Sequence, residues 1–277
     1  MDIPAVGSYD HDIRRQVIEA CRKGEMTNSW VDVYYEAVDL YYGEPQHFHQ
    51  KSYEGAKTKP RIAAQEHVKR IEVSLNHQLK QFFAIAPRSL RNRLFEKAFG
   101  PSISGEFEMV GADYDGRYDL RNATQPDFLF LAHDKCVAIE MKIKAKSDIE
   151  QVLKYALLAL AVERKEHSRE NFLLFMGKGS FSSLWREGFT SVEDMRKKLE
   201  SERPKFMSGL PERFQEQKDR FEKVVSNFSF AFVDYNELAS MLDADAPPFD
   251  GSKGSEAYRN LVDGMVEELK RRDLVCN

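Results

Sequence analysis

The chain has 277 residues, of which 42% are hydrophobic, and its formal net charge is −4. This length can bury a sizeable core, and it holds either one large domain or a core with appendages. The charge balance excludes a globally basic nucleic-acid binder, although a nuclease can concentrate positive charge along one groove.

Cysteine usage and hydropathy indicate the compartment. Cys21, Cys136 and Cys276 are widely spaced, which excludes a zinc motif and a disulfide framework and fits a reducing environment. The N-terminus lacks the apolar segment of a signal peptide, and no apolar run approaches membrane-spanning length. We therefore expect a cytoplasmic protein that does not associate with membranes.

Residues 1–58 predict an N-terminal helical appendage. Helices over residues 11–22 and 28–42 would be followed by a polar linker that reaches Pro60. The second helix is dense in tyrosine, and such side chains either pack against other helices or stack on nucleic-acid bases. Packing is the commoner use, and it is the interpretation we favour.

Residues 59–110 predict two helices and a strand. Apolar residues recur at helical spacing over residues 61–83, and a second helix over residues 88–99 would end at Gly100-Pro101. Residues 106–110 read as a first strand. The acidic cluster of Asp113, Asp115 and Asp119 fails the calcium-loop spacing and fits turn chemistry, with Asp115-Gly116 as a tight turn.

The most informative stretch is a predicted strand pair at residues 125–131 and 136–143. The first strand begins with Pro126-Asp127, and the second contains Glu140-Met-Lys142. Glu140 and Lys142 are two residues apart and share one face, while their apolar neighbours point into a core. Two carboxylates and a lysine at the ends of paired strands can form a hard-cation site beside a phosphate. The alternative is a hairpin with an exposed row of Glu and Lys side chains.

Two further lysines follow this strand. If the strand continued, Lys144 and Lys146 would share the face of Lys142. Such a row could lie along a substrate backbone, or it could protect an exposed strand edge. We hold the two interpretations equal.

A helix is predicted directly after these lysines. Ser147 would be its N-cap, and apolar residues from Ile149 to Ala161 form its main stripe. Gln151 and Tyr155 are neighbours one turn apart on a different face.

The rest of the chain predicts two buried strands and charged helices. The strands cover residues 171–176 and 228–233, and charged helical stretches cover about 187–224 and 254–273. Strands alternating with helices indicate a mixed α/β fold. We divide the chain into an appendage over 1–58, a core over 59–235 with a helical insertion around 187–224, and a C-terminal helical region over 236–277.

Pro-Asp127, then Glu140-x-Lys142, then a helix with Gln151-x-x-x-Tyr155 resembles the PD-(D/E)XK nuclease superfamily. More narrowly, the order resembles the branch that includes RecB-type and phage-type exonucleases. The matching motifs cover only about residues 125–155. The resemblance implies a restriction-endonuclease-like core of helix, three-stranded meander, helix and strand, here with added helices at both ends.

The resemblance also implies an activity, which is Mg²⁺- or Mn²⁺-dependent hydrolysis of DNA phosphodiester bonds. Asp127 and Glu140 would hold the metal together with the Met141 backbone carbonyl. Lys142 would position the attacking water or stabilise charge, and Gln151 and Tyr155 would brace the site or contact the strand.

The family often adds an acidic residue from the first core helix, for which Glu72 is our choice and Glu66 the fallback. The Gln-x-x-x-Tyr branch favours free ends or single-stranded segments. A competing interpretation is a catalytically inactive nuclease fold that binds DNA or protein, and a purely structural helical scaffold is a third. The sequence leaves open whether the chain forms a homo-oligomer.

Overall fold

The computed structural model describes residue 30 and residues 72–110, 126–209, 215–246, 250 and 252–275. Within these ranges the protein is a mixed α/β fold with one five-stranded sheet and seven α-helices. The fallback acid Glu66, the acidic cluster around Asp115 and the predicted helices of the N-terminal region, apart from Trp30, lie outside the described residues. No helix in the described ranges is long and apolar enough to cross a membrane.

The sheet is antiparallel on one side and parallel on the other. Its strands lie in sequence order, with β1–β2–β3 forming an antiparallel meander and β3, β4 and β5 running parallel. The strands are β1 (Glu108–Met109), β2 (Phe128–Leu131), β3 (Lys135–Met141), β4 (Glu170–Gly177) and β5 (Ser229–Asp234). β1 is shorter than predicted, and β3 ends at Met141, so it does not continue through Lys144 and Lys146.

The seven helices of the described ranges cover the two faces of the sheet. They are α1 (Glu72–Ile85), α2 (Arg88–Phe99), α3 (Ile149–Lys165), α4 (Val192–Ser208), α5 (Lys218–Ser226), α6 (Tyr235–Asp245) and α7 (Lys253–Arg271). Helix α3 connects the parallel strands β3 and β4, as such strands require a crossover. Its N-cap is Asp148, which accepts from the Gln151 N–H, and not the predicted Ser147.

Each face of the sheet carries its own apolar cluster. Val137, Ile139 and Met141 of β3 pack on the face covered by α1, α2, α6 and α7. Cys136 and Ala138, which alternate with them, pack on the face covered by α3, α4 and α5. The C-terminal helices α6 and α7 therefore share a core with the first helices.

Candidate active site

Asp127, Glu140 and Lys142 lie together at one end of the sheet. β2 begins directly after Asp127, and its ladder with β3 pairs Phe128 with Ile139, so Asp127 lies beside Glu140. Lys142 directly follows β3, and its Nζ is 2.5 Å from Glu140 Oε1. The fold thus brings together the three residues for which the sequence predicted one site.

Glu140 is braced by α3. Its side chain is only 3% exposed, yet Gln151 Nε2 donates to Oε1 and the Tyr155 hydroxyl donates to Oε2. Lys142 is the third donor to this carboxylate, after Gln151 and Tyr155. A carboxylate can accept about four hydrogen bonds, so Glu140 keeps room for a further ligand. Of the two roles expected for Gln151 and Tyr155, these contacts correspond to bracing the site.

Asp127 is held between β3 and α1. The Met141 N–H donates to Asp127 Oδ2 at 2.7 Å, and Asn76 Nδ2 donates to Oδ1. Burial, followed by repulsion from Glu140, raises the pKa of Asp127 to about 7, against the opposing effect of the Met141 hydrogen bond. Burial and the neighbouring acid therefore favour the protonated form of Asp127 when no cation is bound.

Lys142 brings a positive charge to the site. Burial lowers the pKa of Lys142, but attraction to Glu140, Glu72 and Asp127 outweighs it, so the pKa lies above its ordinary value. The backbone N–H of Lys142 donates to the Met176 carbonyl at 2.8 Å. The ammonium is therefore charged at neutral pH and held on a fixed stretch of backbone.

Glu72 reaches the site from the first turn of α1. Its Oε1 accepts from the Ile143 N–H at 2.9 Å, and its Oε2 is 3.8 Å from Lys142 Nζ. The acid expected from the first core helix thus lies against the loop that carries Lys142.

Sequence reasoning missed two residues of α1, Asn76 and Lys80. Asn76 contacts Asp127 directly, and the half-buried Lys80 lies close enough that Asp127 partly offsets the lowering of the Lys80 pKa by burial. Glu72, Asn76 and Lys80 are spaced by four residues and form one row along the helix. That spacing from Glu72 is the signal that could have identified them.

The donor set fits a hard divalent cation. Asp127 and Glu140 supply carboxylate oxygens, and Met141, whose N–H donates to Asp127, has a backbone carbonyl that is the third candidate oxygen. Asn76 Oδ1, beside Asp127, is buried without a hydrogen-bond partner among the described residues. In the part of the chain that the structure describes, no three His, Cys, Asp or Glu side chains form a group that could hold a metal ion by themselves. Mg²⁺ commonly uses one or two carboxylates together with substrate phosphates, and oxygen ligands suit Mn²⁺ equally.

A comparison of the chain with protein families, curated proteins and solved structures finds no match in any of the three.

Proposed function

We propose that the protein is a divalent-metal-dependent nuclease that hydrolyses phosphodiester bonds in DNA. The observation that carries the proposal is the meeting of Asp127, Glu140 and Lys142 at the ends of β2 and β3, with Glu140 braced by Tyr155 in a buried position. Buried charges are costly unless they are paired, and a purely structural sheet end has no need of them.

The order of elements also supports this proposal. Helices α1 and α2, the meander β1–β2–β3, helix α3 and strand β4 come in an order compatible with the core of helix, meander, helix and strand that the motif resemblance implies. The acids lie on the meander, and the bracing residues lie on the helix that follows it. The resemblance of the motifs and the order of the elements therefore favour the same family.

Each residue has a role that its contacts allow. Asp127 and Glu140 would hold Mg²⁺ or Mn²⁺ with the Met141 carbonyl, and Asn76 and Tyr155 would keep the two carboxylates oriented. When bound, the cation supplies a Lewis acid that offsets phosphate charge.

Lys142 acts beside the carboxylates. Its ammonium remains charged because Glu140 and Glu72 face it, so it can orient the attacking water or stabilise charge that develops on the phosphate. Attack would form a bond from the water oxygen to phosphorus as the bond to the opposite, leaving oxygen breaks. One water proton would pass to solvent, and the leaving oxygen would take a proton from solvent.

The expected preference for free ends rests on the resemblance to the Gln-x-x-x-Tyr branch. Gln151 and Tyr155 both donate to Glu140, so these contacts serve the proposed catalytic acid and not a DNA strand. Comparing covalently closed plasmid, linear duplex and single-stranded circles under one Mn²⁺ condition tests this preference. Rapid cutting of closed duplex at one fixed sequence, with linear ends untouched, would overturn the preference and leave the metal site standing.

The main test uses single variants of the three residues. We expect Asp127→Ala, Glu140→Gln and Lys142→Ala each to reduce Mg²⁺- or Mn²⁺-dependent cleavage by about 10²–10³-fold, because each removes electrostatic stabilisation of the transition state. Glu216→Gln is the matched control, since Glu216-x-Lys218 has the same spacing on an exposed surface. Wild-type activity that survives exhaustive EDTA treatment, or a well-folded Glu140→Gln variant with near-wild-type activity, would reject the proposal. Wild-type protein that binds DNA without cutting it would favour the inactive nuclease fold.

A further inference from the structure

Helix α7 contacts the indole of Trp30, a residue of the N-terminal region. Trp30 Nε1 donates to the Leu261 carbonyl at 3.0 Å, and the partly buried ring packs against the apolar cluster that contains Leu261 and Met265. More than 200 residues separate the partners in sequence, so the contact belongs to the tertiary fold.

Gly264 makes room for this indole. A Cβ at Gly264 would lie 2.5 Å from Trp30 Nε1 and 2.8 Å from Trp30 Cδ1, which is closer than any side chain tolerates. Gly264 lies inside α7, where glycine is less stable than alanine and where no unusual backbone angle requires it. The close approach of Trp30 is therefore the physical reason for glycine at this position.

We propose that the surface of α7 around Leu261 and Gly264 is an indole socket and that its ligand is the N-terminal region of this same chain, anchored by Trp30. Tryptophan suits the role, because its apolar body covers the cluster while its one N–H is satisfied by a carbonyl. A tryptophan in a well-fitted socket commonly dominates the energy of an interface.

The socket is linked to the candidate active site through described contacts. Arg272 directly follows α7 and donates to Ser74 Oγ and Gln78 Oε1 of α1, each at 2.9 Å. Helix α1 begins with Glu72, which contacts Lys142. Trp30 thus packs on the same helix whose C-terminal end is followed by Arg272, the residue that binds α1.

Helix α7 contains its own control for a test. A Cβ at Gly254 would meet no atom of the described residues closer than Ser252 Oγ at 4.0 Å, whereas a Cβ at Gly264 would collide with Trp30. In the full-length chain we expect Gly254→Ala to hold or raise the urea midpoint, as helix propensity dictates. We expect Gly264→Ala to lower that midpoint, because it displaces the indole.

Repeating Gly264→Ala in a Trp30→Ala background shows whether the loss of stability comes from the clash with the indole or from the helix itself. Without the indole, Gly264→Ala should no longer lower the midpoint and should behave like Gly254→Ala, which gives a clear double-variant cycle. A Gly264→Ala chain that raises the midpoint in the presence of Trp30, or lowers it equally in the Trp30→Ala background, would overturn the proposal.

Acrylamide quenching gives a second readout. The chain has two tryptophans, and Trp185 is fully buried, so Trp185 serves as a protected reference. Gly264→Ala should make the emission of Trp30 more quenchable, while Gly254→Ala should not. The protection of Trp30 should be independent of protein concentration, and protection that is lost on dilution would assign the indole to a second copy and reject this chain as the ligand.

Discussion

The Tyr155 hydroxyl donates a hydrogen bond to Glu140 Oε2, and the two residues are only 1% and 3% exposed. A buried carboxylate is costly unless donors surround it, and α3 supplies two of the donors here. Burial, followed by repulsion from Glu140, raises the pKa of Tyr155 well above its ordinary value, so the hydroxyl stays protonated and donates. Helix α3 is therefore fixed to β3 by the acid on which the proposed chemistry depends.

Tyr155→Phe should destabilise the protein and reduce cleavage together. Removing the hydroxyl leaves Glu140 Oε2 without this donor, which should cost about 1–3 kcal/mol in the free energy of unfolding. Urea denaturation measures this loss. Tyr258→Phe is the control, because Tyr258 also donates to a carboxylate, that of Asp245 at 2.5 Å, but lies outside the candidate site. Only Tyr155→Phe should lower activity, and unchanged stability of this variant would contradict the bracing role.

Cation binding should weaken as the pH falls below neutrality. Burial and repulsion from Glu140 raise the pKa of Asp127 to about 7, so below that pH a proton competes with the cation for this carboxylate. We expect the Mn²⁺ affinity to fall about fivefold between pH 7 and pH 6, to approach a fall of about tenfold per pH unit at lower pH, and to level off above pH 8. Titration calorimetry across this range measures it. An affinity that is constant from pH 6 to pH 8 would remove Asp127 from the ligand set.

Asp127→Asn should stabilise the metal-free protein at alkaline pH. The folded-state pKa is raised above the ordinary value of 3.8, so between about pH 4 and pH 7 the folded state binds more protons than the unfolded state. The free energy of unfolding of the wild type therefore decreases as pH rises through that window, and the amide variant lacks this decrease. We expect a gain on the order of 1–3 kcal/mol at pH 8 that vanishes near pH 4.

Urea denaturation in EDTA at both pH values tests the sign. Asp250→Asn is a control of opposite sign, since hydrogen bonds from Ser255 and Ser252 lower the pKa of Asp250 to about 2. That variant should lose stability at pH 8. If Asp127→Asn also destabilises the metal-free protein at pH 8, the ionised Asp127 carboxylate does not destabilise the folded state, and the raised pKa is contradicted.

Local patterns predicted the strands and much of the site, because alternation and spacing are properties of the chain itself. The Pro-Asp start of β2 and the buried strand around Glu140 could be read from residue types, and α2 has the predicted bounds. The end of β3 could not be predicted. The Ile143 N–H binds Glu72 instead of a strand neighbour, and this depends on how α1 packs.

The partners of the bracing residues were equally hidden from the sequence. Spacing places Gln151 and Tyr155 on one side of α3, but only the packing of α3 on β3 directs both toward Glu140. Asn76 was missed because its four-residue spacing from Glu72 gains meaning only once Asp127 is known to face that row of α1.

Asn76→Ala should weaken cation binding without unfolding the protein. Asp127 would keep the Met141 N–H but lose the amide that fixes its other oxygen. Loss of such an outer contact typically costs about 10–100-fold in metal affinity. Mn²⁺ titration measures this effect, with exposed Gln81→Ala on the same helix as the control. Equal affinities for the two variants would show that Asn76 does not orient the acid.

Lys144 and Lys146 should bind the DNA backbone beside the site. Both lysines are exposed in the loop after β3, and β3 lies between β2 and β4, so they do not protect a strand edge as one interpretation held.

Each phosphate contact contributes about 0.7–0.9 to the slope of log affinity against log salt. The Lys144→Ala/Lys146→Ala variant should therefore show a slope less steep by about 1.4–1.8, measured with Ca²⁺, which we expect to permit binding but to support cleavage poorly. Lys165→Ala, at the far end of α3 and about 24 Å along that helix from its first residue, should keep the wild-type slope. If the double variant keeps it as well, the loop does not contact the substrate backbone.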